Sequence, residues 1–157
     1  MSQLRIRKVA VLGAGVMGAQ IAAHLVNADV DTLLFDLPAK EGDKNGIVQK
    51  AIANLAKLSP APLASKAKAG AIIPANYEQH LAWLADCDLI IEAIAEKMEW
   101  KKDLYEKIAP HVAPHAIVAS NTSGLSINGL AEAMPAAVRP RFCGVHFFNP
   151  PRYMHLA

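Results

Sequence analysis

Lys8-Val-Ala-Val-Leu-Gly-Ala-Gly-Val-Met-Gly18 is the stretch that decides the fold. Its first five residues form a short, nearly continuous apolar run, as a strand buried on both faces requires. Gly13, Gly15 and Gly18 follow in the order G-x-G-x-x-G. Met17, Ile21 and Leu25 then recur four apart and predict a helix over 15–28. A glycine turn between a strand and a helix has a chemical use. Gly13 permits the tight turn, Gly15 lets the backbone approach a pyrophosphate, and Gly18 lets the helix pack close to the sheet. With Ala14, Val16 and Met17 they make a loop whose unpaired helix N–H groups and positive dipole end suit phosphates. The expected ligand is a dinucleotide.

Outward from that loop, Asp-Thr-Leu-Leu-Phe-Asp over 31–36 reads as a second strand ending on Asp36, eighteen residues past Gly18. A carboxylate there accepts hydrogen bonds from ribose hydroxyls and repels a 2′-phosphate. Leu37 and Pro38 follow with no arginine close by, so the pattern predicts NAD rather than NADP. Further on, a helix is expected over 45–58, stopped by Ser59-Pro-Ala-Pro62. A short helix and then a connection are expected over 63–76, and a short helix over 77–84. Strands are expected at 88–94, 116–119 and 142–148, with helices at 98–108 and 127–134. The alternation predicts an α/β, Rossmann-type, doubly wound fold with a mainly parallel sheet, as one domain over residues 1–157.

Composition narrows the function classes. Hydrophobic residues make up 53% of the 157 and charged residues 19%, which excludes intrinsic disorder. The net charge is +2 with no block of like charge, so no nucleic-acid partner is expected. Arg5, Arg7 and Lys8 before an apolar stretch imitate a signal peptide, but three glycines and then Gln20, His24 and Asn27 interrupt it. No membrane partner is expected, and the compartment is read as cytoplasm. Cys87 and Cys143 form no Cys-x-x-Cys and read as buried small hydrophobes. His111 and His115 stand among prolines with no third ligand, so no metal is expected. Trp83 and Trp100 read as core or interface packing.

Two further segments fall at expected strand ends, where open α/β sheets bind ligands: Ala119-Ser-Asn-Thr-Ser123 and Gly144-Val-His-Phe-Phe-Asn-Pro150. A histidine beside a nicotinamide can take a hydroxyl proton, and its ordinary pKa near ~6.5 suits that work. Ser123 and Asn149 offer uncharged hydrogen bonds that orient a carbonyl or carboxamide. Taken alone, a single strand histidine is more often structural, so the residues leave His146 open.

The set Gly13-Ala-Gly-Val-Met-Gly18, Glu92-Ala-Ile-Ala-Glu96, Ser120-Asn-Thr-Ser123 and His146-Phe-Phe-Asn-Pro150 resembles the NAD-binding domain of L-3-hydroxyacyl-CoA dehydrogenases of fatty-acid β-oxidation. The resemblance spans nearly the whole chain. It implies an NAD-dependent oxidoreductase that converts L-3-hydroxyacyl-CoA to 3-oxoacyl-CoA. It implies that His146 is the catalytic base, that Ser123 touches substrate and cofactor, and that Asn149 stands beside them. Glu96 and Lys101 match cofactor-contacting positions, although by themselves they read as a solvated helix start. Lys57 matches a coenzyme-A contact, and Lys50 shares its helix face with Asn54 and Lys57; a lysine stripe is otherwise an ordinary solvated surface.

The family's histidine is oriented by a glutamate a few residues beyond the His-Phe-Phe-Asn-Pro motif, and Pro151 to Ala157 contain no acid. The expectation is a piece of a longer protein, inactive alone, without the C-terminal helical domain through which the parent forms a homo-oligomer. Two other readings stay open: a dehydrogenase of a small hydroxy acid, and a cofactor-binding module without activity.

Overall fold

The structure, a computed structural model, describes residues 4–157. Six strands, β1 (Lys8–Leu12), β2 (Asp31–Asp36), β3 (Ile72–Asn76), β4 (Leu89–Glu92), β5 (Ile117–Ser120) and β6 (Phe142–Gly144), form one sheet. Their order is β3-β2-β1-β4-β5-β6 and every pair is parallel. This is the doubly wound Rossmann arrangement. The helices are α1 (Val16–Asn27), α2 (Gly46–Leu55), α3 (Met98–Ile108) and α4 (Ile127–Ala133).

The middles of β1, β2, β4 and β5 are largely apolar because both faces of the sheet are covered there. Along β1 the side chains alternate: Val9 and Val11 share a core with Ile21 and Val26 of α1 and Val48 and Leu55 of α2. Ala10 and Leu12 share the opposite core with Leu104, Tyr105 and Ile108 of α3 and Leu130 of α4. Leu12, Ile21, Leu34, Phe35 and Ile90 are 0% exposed, and each such side chain contributes about 1.5–3 kcal/mol of burial.

The structure departs from the sequence expectations where local pattern and long-range pairing conflict. Residues 72–76, expected as a connection, are strand β3. Pro74 hides it, yet β3 pairs only with β2, and an edge strand tolerates the missing N–H. The short helix expected over 77–84 is a turn followed by a 3-10 helix that begins only at Leu81. The buried Asn76 side chain accepts from the N–H groups of Glu78 and Gln79 and folds the chain into a turn, with a 3-10 turn Leu81–Asp86 after it. α2 ends at Leu55 rather than 58. β6 ends at Gly144, because the Phe147 N–H donates to the Asn121 side chain (2.8 Å) instead of a neighbouring strand. Cys143 is exposed, contrary to expectation, whereas Cys87 is buried and its thiol is pushed up to about 11, chiefly by burial. Among the described residues, no helix is long and apolar enough to cross a membrane.

Candidate functional site

The parallel register brings the strand ends level. Leu12 pairs with Phe35 and Glu92, Glu92 with Ser120, and Ser120 with Gly144. Strand order reverses between β1 and β4, so the loops that follow these strands part and leave a crevice beyond their carboxyl ends. All the candidate loops lie along that edge.

The three glycines do three different things. Gly13 has φ +104°, and a Cβ on it would lie 2.8 Å from the Ala93 carbonyl oxygen. A Cβ on Gly18 would lie 1.7 Å from the Gly13 carbonyl oxygen, so α1 seats on the turn only because that position is bare. Gly15, at the N-cap of α1, has φ −73° and open space within 4 Å of its Cβ position. Its missing side chain serves no packing need of the chain. The first turn of α1 has no side-chain cap and no acidic residue, so its N–H groups face that open space unpaired. A pyrophosphate fits this cradle, and a Cβ would fill part of it.

Asp36 closes the turn from the side. Its carboxylate accepts from the N–H of Ala14 (2.7 Å) and of Leu37 (2.6 Å), and lone pairs remain for ribose hydroxyls. A cavity of about 400 Å³ runs from Gly13 and Gly15 past Asp36 and Leu37 to Tyr77 and Trp100. Trp100 is thus not core packing: it is 51% exposed and walls this cavity. Trp83 is likewise partly exposed, with its ring 4.1 Å from that of His80. A second cavity, of about 420 Å³, lies between Gly15, Val16 and the α2 residues Lys50 and Asn54. Lys57 does not line it, although its neighbour Leu58 does.

The remaining candidates sit on two linked loops. Ser123 is exposed in the turn after β5. His146 is exposed two residues past β6, on irregular chain rather than on a strand, with its ring against Phe148 at 4.9 Å. Asn121 ties the loops together through the Phe147 N–H, and Gln20 of α1 donates to the Asn149 side chain at 3.4 Å. The latter bond carries Asn149 to the first turns of the glycine-bound helix. Among the described residues, the single histidine–carboxylate pair is His115–Asp88, at the opposite end of the sheet.

Lys101 requires a correction. Expected as a cofactor contact, it has no exposed side-chain surface. Its ammonium lies 2.5 Å from Glu92 and 3.4 Å from Glu96. The physical reason is Glu92, whose wholly buried carboxylate needs a counter-charge. Glu92 also accepts from Tyr105 (2.6 Å), Ser120 (2.7 Å) and the Ile94 N–H (3.0 Å), and burial and Glu92 push the Tyr105 hydroxyl far up. Glu96 is 40% exposed and accepts from Thr122 (2.8 Å) and the Gly124 N–H (3.2 Å). Burial pushes its carboxyl up, but the Thr122 and Gly124 hydrogen bonds and the Lys101 ammonium outweigh that and hold it below the ordinary value. Sequence reasoning assigned Glu92, Ser120 and Tyr105 no role. The available signal was an acid closing the otherwise apolar strand Leu89–Glu92.

Comparison with known proteins agrees with this geometry. Residues 8–157 match the family described as "3-hydroxyacyl-CoA dehydrogenase, NAD binding domain". A Rickettsia felis protein named "Putative fatty acid oxidation complex trifunctional enzyme" is 47% identical over 98% of this chain and 22% of its own length. A 3-hydroxybutyryl-CoA dehydrogenase of Bradyrhizobium diazoefficiens is 40% identical over 96% of this chain and 50% of its own. Among solved structures, an (S)-3-hydroxybutyryl-CoA dehydrogenase from Ralstonia eutropha superposes with a TM-score of 0.77 at 32% identity, covering 96% of this chain and 52% of that one. The chain therefore spans between about a fifth and a half of the length of these relatives.

Proposed function

The chain belongs to the family of 3-hydroxyacyl-CoA dehydrogenase NAD-binding domains, and from that premise we propose that the whole protein oxidises the 3-hydroxyl of an L-3-hydroxyacyl-CoA to a ketone. The observation that carries the reading is the meeting of three features at one sheet edge: the open cradle at Gly15, the Asp36 carboxylate beside it, and the loops bearing Ser123, His146 and Asn149. The pyrophosphate of NAD rests on the loop from Gly13 to Gly18, with Ala14, Val16 and Met17 completing its wall. Asp36 holds the adenosine ribose, and the cavity toward Trp100 receives the adenine. Glu96, Ser123 and Asn149 face the nicotinamide half, and Lys101 acts on it only through Glu96. NAD, when bound, supplies the hydride acceptor.

The chain's own residues do the rest. A ring nitrogen of His146 takes the hydroxyl proton as the carbonyl forms. Ser123 and Asn149 orient the substrate carbonyl and the carboxamide by hydrogen bonds. Lys50, on the wall of the second cavity, meets the phosphates of coenzyme A, with Lys57 further along the same path. The resemblance extends to assembly: the whole protein forms a homo-oligomer through a helical domain. Free Cys87 and Cys143 fit a reducing compartment, the cytoplasm.

Calorimetric titration of the chain with NADH and NADPH tests the cofactor reading. NADH binding tighter than NADPH, with the gap narrowed in Asp36→Ala, is expected; equal affinity for both would refute it. For the whole protein, NADH oxidation with acetoacetyl-CoA, lost in His146→Ala, is the matching assay.

A further inference from the structure

Glu92 stands at the end of β4, at the reversal of strand order, wholly buried and outside the roles assigned above. A buried ion pair is weak evidence for stability, because well-packed apolar residues of similar size do as well or better. Its position makes it useful in another way. At the entry of the 121–124 turn, Glu92 accepts from the Ser120 hydroxyl (2.7 Å), and its backbone carbonyl accepts from the Asn121 N–H (2.8 Å). At the exit, its partner Lys101 reaches Glu96 at 3.4 Å. Glu96 then grips the Thr122 hydroxyl and the Gly124 N–H with one oxygen, on either side of Ser123. Asn121 in turn fixes the Phe147 N–H, next to His146.

We infer that Glu92 is a positioning residue: through Ser120 at one end and Lys101–Glu96 at the other, it holds the 121–124 turn so that Ser123 and Glu96 meet the nicotinamide half of the cofactor. The chain of contacts is unbroken, and each link is an ion pair or a hydrogen bond of a side chain to another side chain or to the backbone. Tyr105 (2.6 Å) and the Ile94 N–H (3.0 Å) complete the Glu92 shell and prevent the carboxylate from turning away. The Asp36 carboxylate lies on the other side of β1, and its hydrogen bonds to Ala14 and Leu37 share no partner with this network.

The inference rests on the NAD reading, so the test separates the two. NADH binds with both halves; ADP-ribose carries the adenosine and pyrophosphate without the nicotinamide. In Glu92→Gln, the affinity for NADH falls about tenfold or more, as expected for a misplaced charge-assisted contact, while that for ADP-ribose stays within about twofold. Glu92→Leu/Lys101→Met removes both buried charges together and keeps the fold if Glu92→Gln does not; it shows the same split. Tyr105→Phe, which loosens Glu92 without touching charge, gives a smaller loss of the same kind. A folded variant with unchanged NADH affinity overturns the inference. So does a parallel loss of both ligands that tracks the melting temperature, which marks Glu92 as structural. A wild-type chain that binds neither ligand overturns the NAD reading and this inference with it.

Discussion

Gly15→Ala separates cofactor binding from folding more cleanly than any other single change in the loop. The added methyl meets no atom within 4 Å, and φ −73° is open to alanine. Two small terms act on stability. Alanine is a poorer N-cap than glycine by about 0.5–1 kcal/mol. It also reduces the freedom of the unfolded chain, which returns about 0.4–1 kcal/mol. The melting temperature should therefore move by no more than about 2 °C. Binding is another matter, because the methyl stands where the pyrophosphate must approach the amides of α1. Loss of one charge-assisted hydrogen bond costs about 1.5–3 kcal/mol, or about 10- to 150-fold in Kd. Gly18→Ala is the contrasting control. Its Cβ lies 1.7 Å from the Gly13 oxygen, where an ordinary contact needs about 3.4 Å, so α1 must shift by well over an ångström against the sheet. Overpacking of that kind costs about 1–3 kcal/mol or more, and both stability and affinity fall. Calorimetry with NADH and thermal unfolding followed by circular dichroism measure both quantities on each variant. If Gly15→Ala binds NADH within about twofold of the wild type, the phosphates do not pass over Gly15 and the placement of the cofactor is wrong.

Other expectations follow from the same contacts. Lys101→Met leaves the buried Glu92 carboxylate unpaired and should cost about 3–5 kcal/mol in thermal or urea unfolding; a loss under about 1 kcal/mol would mean that water or protonation satisfies Glu92 instead. Glu96 and Asp88 are held below their ordinary values of 4.5 and 3.8 in the folded chain, Asp88 mainly by the Arg7 N–H and by His115. Groups lowered in this way stabilise the fold above their unfolded pKa, and the contribution is lost as pH falls through the folded one. The melting temperature should therefore hold from neutral pH to about 5 and drop below that, less steeply in Glu96→Gln; an identical slope in that variant would remove Glu96 from the account. Lys50→Ala should weaken coenzyme A binding to the chain while leaving NADH affinity unchanged; equal effects on both, or on neither, would make the second cavity a plain surface groove.

How much of this was legible in the residues differs from element to element. The turn after β1 could be read directly, because Gly13 and Gly18, between an apolar run and a helical stripe, answer a local steric need. Lys8–Leu12, Asp31–Asp36 and Met98–Ile108 have the bounds their patterns predict, since periodicity is set by the faces each residue buries. Pro74 conceals β3 because only the sheet order reveals that its N–H would face an unpaired edge. The loop of His146 looks like strand in sequence, with two phenylalanines in a row, and is released from the sheet by a side chain 26 residues away. Lys101 reads as a solvated helix-start lysine until the fold sets Glu92 beneath it. Composition and spacing thus determined the layer architecture, the glycine turn and the carboxylate that ends β2 beside it, all of which depend on near neighbours along the chain. Tertiary structure alone decided the edge strand, the buried Glu92–Lys101 pair and the joining of the Ser123 and His146 loops, because each depends on which distant residue supplies a charge or a hydrogen bond.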